Sequence, residues 1–253
     1  LAYEVPCITI EGEKRVVPNL KRKFIQEIDK LITSSNGIFW YRDFLVNGSF
    51  SLLTKHLLEN GAIATPVFSK VINLKDDIDV IKSNIRNSFR SLINKGLREM
   101  KIQIFDSSNV DWKAMSKFRE LHIRESGKET RSEASWKRQM EMVEGSEAFL
   151  VFGYMQNELV SAGFFMYNKM NCYYGSSASR RDMFDKALFH PLMWSAIIHS
   201  KELGCNWFEV GEQFYPNHPV DNNLSKKELD ISFYKAGFGG DTRVFLDVKL
   251  NLH

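Results

Sequence analysis

The stretch that decides the fold runs from Tyr173 to Glu212, "YYGSSASRRDMFDKALFHPLMWSAIIHSKELGCNWFEVGE". It begins inside a strand-like segment (Met170–Ala178). It then passes a charged loop into a helical run, Pro191–Gly204, and ends in the apolar strand Asn206–Glu212. Pro191 suits a first helical turn, where a missing N–H costs nothing, and Gly204 suits the stop. Upstream, "AFLVFGYM" (148–155) and "ELVSAGFFMYN" (158–168) complete a three-strand meander, with Gln156-Asn157 and Asn168-Lys169 as the tight connections. Before them lie a strand (101–106), a helix (109–126) and a second helix (133–145), for which Ser132 is a cap. After them come a helix, 225–237, and a last strand, 241–250. The order is strand, two helices, three strands, helix, strand, helix, strand. That predicts an α/β protein with a mixed sheet.

Further upstream the apolar positions Ile78, Ile81, Ile85, Phe89, Leu92 and Ile93 predict one long helix over 75–100, with Lys82, Arg86, Arg90, Lys95 and Arg98 on its other face. A basic face of this kind is ordinarily just solvated. The first 74 residues read as a short strand at Cys7–Gly12, helices at 19–35 and 50–61, and a strand at 62–74. The expected division is a partial N-terminal region, 1–74, and a main domain, 75–253.

Composition bounds the function only broadly. The chain has 253 residues, 43% hydrophobic and 26% charged, which is enough for a sizeable core. Its formal charge of +3 neither demands nor excludes an anionic partner. No apolar run approaches the ~20 residues of a membrane span. The opening residues lack the basic and apolar regions of a signal segment. Cys7, Cys172 and Cys205 are odd in number and far apart, which predicts reduced thiols in a cytoplasmic protein, with no disulfide framework and no metal site.

Several residues carry the right chemistry for a site. Glu209 and Glu212 end a buried strand, where open α/β sheets place ligands, and either could serve as a base; pairing with an arginine is the plain alternative. His122 could be a base or a donor, or simply the end of a helix. Arg124, Lys128 and Arg131 would suit phosphate groups, or form a solvated basic loop. Arg180, Arg181 and His190 surround a helix start whose free N–H groups suit an anion. Tyr173 and Tyr174 point to opposite faces of their strand, and Tyr174 is the candidate to face a groove. Lys235, in "SFYKAGFGGD" (232–241), sits between aromatics and a glycine turn. An exposed cation complementing a helix dipole would look the same.

Four of these stretches together resemble the GNAT acyltransferase superfamily in its FemAB-type branch. "RSLINKGLRE" (90–99) is similar to the basic helix that leads into that family's second domain, and "FRELHIRESGK" (118–128) to its helix ending in His-x-x-x-x-Gly. The 173–212 run is similar to a strand ending in Gly-Ala-Ser followed by Pro-x-x-x-Trp-x-x-Ile and Phe-Asp-Leu-Gly. "SFYKAGFGG" resembles the family's Phe-Lys-x-x-Phe-Gly signature. The resemblance spans about residues 75–250 and implies a GNAT-like fold with a partial, degenerate N-terminal half. It also implies acyl transfer to an amine of an envelope precursor or amino sugar. By this resemblance Lys235 holds the developing oxyanion and Tyr234 lines the donor site. The implied donor is acyl-CoA or an acyl carrier protein, with no tightly bound cofactor. Transfer from aminoacyl-tRNA to a peptidoglycan-type precursor is the rival reading, and a non-catalytic module of the same fold is another. Two departures bear on this choice. Where acetyl-CoA enzymes of the superfamily carry a two-glycine loop, this chain reads "SRRDMFDKALFHPL". The first half is also shorter than a full domain copy.

Overall fold

The computed structural model describes residues 17–34, 37–45, 48–216 and 224–252. The described residues form a mixed α/β protein of eight strands and eight α-helices, divided into two compact units. One unit is drawn from Leu1–Ser69, Glu212–Leu229 and Thr242–His253, the other from Lys70–Gly211 and Asp230–Asp241. The first of these divisions falls between Ser69 and Lys70, and two C-terminal segments belong to the first unit.

In the first unit, helices α1 (Val17–Thr33) and α2 (Leu52–Glu59) pack on strands β1 (Gly37–Phe44) and β8 (Asp241–Leu252). These strands pair antiparallel, from Gly37 opposite Leu252 to Phe44 opposite Phe245. Tyr41, Leu57 and Val248 lie at the centre of this small core. Ser51 caps α2, its Oγ accepting from Thr54 N at 3.1 Å. The buried Asp43 carboxylate accepts at Oδ2 from both Ser51 N and Thr54 Oγ1, which offsets the cost of burying its charge. The strand expected at Cys7–Gly12 lies outside the described residues.

The second unit begins with the end of β2 (Ile63–Asn73) and the helices α3 (Ile78–Ser83) and α4 (Asn87–Glu99). The single helix expected over 75–100 is therefore broken. Arg86 is extended (φ −49°, ψ 135°), and its N–H donates to Gly237 O at 2.9 Å instead of continuing the helix. Its guanidinium stacks 4.0 Å from the centre of the Phe233 ring. The order continues through β3 (Lys101–Phe105), α5 (Trp112–Ser126), α6 (Glu133–Glu144), β4 (Ala148–Met155), β5 (Glu158–Tyr167) and β6 (Asn171–Ser179). It closes with α7 (Phe189–Glu202), β7 (Trp207–Glu212) and α8 (Lys226–Ala236). Within the unit the strand order is β7-β6-β5-β4-β3.

Strands β3 to β6 are antiparallel neighbours, whereas β7 runs parallel to β6. Gln156 and Asn157 both take positive φ (49° and 64°), the geometry of a two-residue hairpin turn. Strand β4 is buried on both sides and therefore reads as a continuous apolar run. Phe149 and Val151 face a core that includes α4 and α7 residues, while Leu150 and Phe152 face Phe118 of α5 and Trp136 of α6. Cys172 and Cys205 are buried free thiols, both pushed toward the neutral form by burial. No helix among the described residues is long and apolar enough to cross a membrane.

Candidate functional site

The site begins where two parallel strands stop pairing. Strands β6 and β7 share only the registered pairs Asn171–Trp207, Cys172–Phe208 and Tyr173–Glu209. Beyond them β6 continues to Ser179 and β7 to Glu212. The two strands part at their carboxyl ends, a place where α/β sheets take ligands. A register shift between Phe164 and Phe165 marks a bulge at Gly175, and it re-aims the side chains at this end of β6.

Tyr174 faces the α7 side, its ring 5.3 Å from Phe189 and its hydroxyl 2.5 Å from Ser177 Oγ. Burial pushes its hydroxyl up to about 12, against the Ser177 hydrogen bond. Three further elements bring aromatic rings together nearby. His190 of α7 lies 4.5 Å from Phe89 of α4 and 5.3 Å from Tyr234 of α8, and Tyr234 is 5.3 Å from Phe238. The Tyr234 hydroxyl and the His190 Nε2 are buried without a hydrogen-bond partner among the described residues. Burial raises the Tyr234 hydroxyl well above its ordinary range, and lowers His190 to about 4. Both groups are therefore neutral at pH 7. Unpaired buried polar atoms are uncommon, and two in one cluster point to a place that a ligand completes.

Lys235, in the last turn of α8, reaches the end of β7. Its Nζ lies 2.6 Å from where a Cβ on Gly211 would stand, and Cε lies 3.1 Å from it. Gly211 also has φ +120°, a conformation that side chains rarely adopt. The lysine thus lies across bare backbone, two residues after the buried Glu209. Glu209 is opposite Tyr173 in the parallel register and shares its face of the sheet.

The remaining candidates are distributed elsewhere. Glu212 belongs to the first unit, where Arg42 holds it at 2.7 Å and Asp247 at 2.6 Å. Burial works against the Arg42 charge, but these two carboxylates outweigh it and hold its pKa above the ordinary value. His122 accepts at Nε2 from Arg131 Nη1 at 3.0 Å and packs 5.4 Å from the Trp136 ring, over which Arg131 also lies. His122 and Arg131 are thus brought together in a packed α5–α6 corner. Arg124 pairs with Glu125 at 2.8 Å, and Lys128 is exposed. Arg180 is held between Glu158 at 2.7 Å and Asp182 at 2.5 Å, so its charge is already matched by two carboxylates. Arg181 is exposed, and its backbone N–H donates to Glu125 Oε2. Among the described residues no group of three or more His, Cys, Asp or Glu side chains could hold a metal ion.

Sequence reading missed Phe89 and the part that Gly211 plays. Phe89 has the spacing of an ordinary core residue of α4, and Gly211 was legible only as the last letter of a motif.

Two half-buried histidines set a pH dependence. Burial depresses His190 to about 4 and also lowers His122, with Arg131 adding to the latter. Below the ordinary value near 6.5 the unfolded chain takes up protons that the folded chain does not. Stability is therefore whole above about pH 6.5 and declines as pH falls toward 4. Urea midpoints measured from pH 7 to pH 4 should fall, and His190→Gln should flatten part of that slope. An unchanged slope would mean that His190 is protonated in the folded state.

No family model matches this chain, and no curated protein matches it in sequence. Its fold is nonetheless shared with solved structures. The crystal structure of FemX superimposes with a TM-score of 0.67 at 12% identity, over 92% of this chain and 77% of FemX. The C-terminal domain (DUF2156) of a lysylphosphatidylglycerol synthetase from Agrobacterium fabrum gives 0.61 at 13% identity, over 94% and 74%. L-PGS from Bacillus licheniformis gives 0.57 at 12% identity, over 93% and 74%. The architecture is the fold seen in FemX and in the DUF2156 domain.

Proposed function

We propose that the protein is an N-acyltransferase that moves an aminoacyl or acyl group from an activated donor to the amine of an envelope precursor or amino sugar. The observation that carries this reading is the parting of β6 and β7 beside a lysine laid across Gly211. The acceptor amine attacks the donor carbonyl carbon, and the Lys235 ammonium receives the oxyanion that forms. Glu209, buried two residues before Gly211, takes the proton that the amine sheds. The carbon–oxygen or carbon–sulfur bond to the donor then breaks, and the leaving group accepts a proton. Tyr234 and Tyr174 line the donor side.

The donor choice turns on Arg180. A CoA pyrophosphate needs unmatched positive charge or a glycine-lined helix start, and Arg180 is paired with Glu158 and Asp182. This favours an aminoacyl ester of tRNA over a thioester, in keeping with the FemAB-like fold. The thioester reading keeps some support from exposed Arg181 and Lys186, which precede α7.

The test offers the purified chain an amine acceptor with labelled aminoacyl-tRNA, acyl-CoA or acyl carrier protein. Label should pass from tRNA to the amine and stop after RNase treatment. Transfer from a thioester would replace the tRNA reading. Absence of transfer from all three donors would sink the proposal and leave a binding module.

A further inference from the structure

The turn that follows Lys235 is one wall of a second site. A cavity of about 320 Å³ opens between the end of β2, α3 and the turn that joins α8 to β8. Its size is at the lower end of small-molecule sites, room for a single sugar ring rather than a nucleotide. Ile72 and Ile81, both buried, give it an apolar wall. Asn73, Asp76, Asn84 and Asp241 are the polar residues of its lining, which includes no lysine or arginine. Asn73 Nδ2 donates to Asp76 Oδ1 at 2.9 Å and holds that carboxylate in place. Lys201 fixes the same loop from its backbone, donating to the carbonyls of Leu74 and Asp76 at 2.6 and 3.0 Å. Lys70, which does not line the cavity, donates to Gly240 O at 3.2 Å and anchors the opposite wall.

An apolar wall beside convergent carboxylates and amides fits a ligand with a C–H face, several hydroxyls and a positive charge. The carboxylates accept from hydroxyl and ammonium groups, and the carboxamides both donate and accept. We infer that this cavity binds an amino sugar, a hexose-sized ring whose primary amine lies against Asp76 and Asp241. The inference is of a binding site and does not rest on the acyl-transfer reading.

The test is equilibrium binding of glucosamine, N-acetylglucosamine and glucose to the full chain by titration calorimetry or ligand-observed NMR. Glucosamine should bind at least tenfold tighter than the other two. Asp76→Asn and Asp241→Asn, which keep size and shape, should each weaken it about tenfold, and Asn84→Ala should weaken it without changing the preference for the amine. Lys235→Met should leave binding unchanged. Equal binding of all three sugars, no binding of glucosamine, or binding indifferent to both aspartate changes would overturn the inference. Unchanged turnover of Lys235→Met would instead count against the transfer mechanism, while glucosamine binding stood.

Discussion

Lys235→Met should lower turnover by about 100- to 1000-fold, with kcat and kcat/KM falling together, because the ammonium acts on charge that exists only in the transition state. A lysine in a last helical turn has a humbler possible role, completing the helix dipole. That role predicts a loss of roughly 0.3–1 kcal/mol in stability and no change in turnover. Gly211 separates the two. Its missing side chain is what lets Nζ lie against the end of β7, and an alanine there would place Cβ 2.6 Å from Nζ. The lysine tip can move, so the collision is relieved by displacing the ammonium, while φ +120° adds backbone strain. Gly211→Ala should therefore reproduce much of the kinetic defect with Lys235 still present. Turnover within threefold of the parent for Lys235→Met would remove the oxyanion role outright. The measurement is steady-state transfer with the donor that the labelled-transfer assay selects.

Much of the second unit was legible because its signals are local. A doubly buried strand writes itself as "AFLVFG", a cap as Ser132, whose Oγ accepts from Ser135 N, and a two-residue turn as Gln156-Asn157. What stayed hidden depends on partners distant in sequence. Strand β1 lacks a clean alternation, and its partner β8 lies some 200 residues on. The break at Arg86 keeps the 3.6-residue apolar period intact, so nothing in 75–100 announces it. Its cause is the Gly237 carbonyl and the Phe233 ring. The same division runs through the site. Lys235 and Tyr234 stood out as candidates through a motif, since both belong to one helix end. Arg180 read as an anion ligand because Glu158, one of its counter-ions, is 22 residues away and invisible to spacing. His190 read as part of a helix start, whereas its ring turns into a cluster assembled from α4 and α8.

Gly240→Ala should cost about 2–4 kcal/mol, the range reached when a special backbone conformation and an overpacked contact are lost together. Gly240 has φ +79°, and a Cβ there would meet the Val71 carbonyl oxygen at 2.6 Å and its carbon at 2.8 Å. Both are backbone atoms of β2, so no side chain can swing aside. Gly204 supplies the control. It has nearly the same conformation, φ +84°, with nothing within 4 Å of the Cβ position. Gly204→Ala should cost only the left-handed penalty, about 1–2 kcal/mol. In urea unfolding the difference between the two variants isolates the close approach of the turn to β2. For a chain of this size the larger loss corresponds to a fall in Tm of roughly 5–15 °C. Equal losses would mean that the turn is not pressed against β2 and that the cavity wall yields. Gly240→Ala should also weaken glucosamine binding, because Asp241 moves with the displaced turn. Gly204→Ala should leave that binding alone, since Gly204 does not line the cavity.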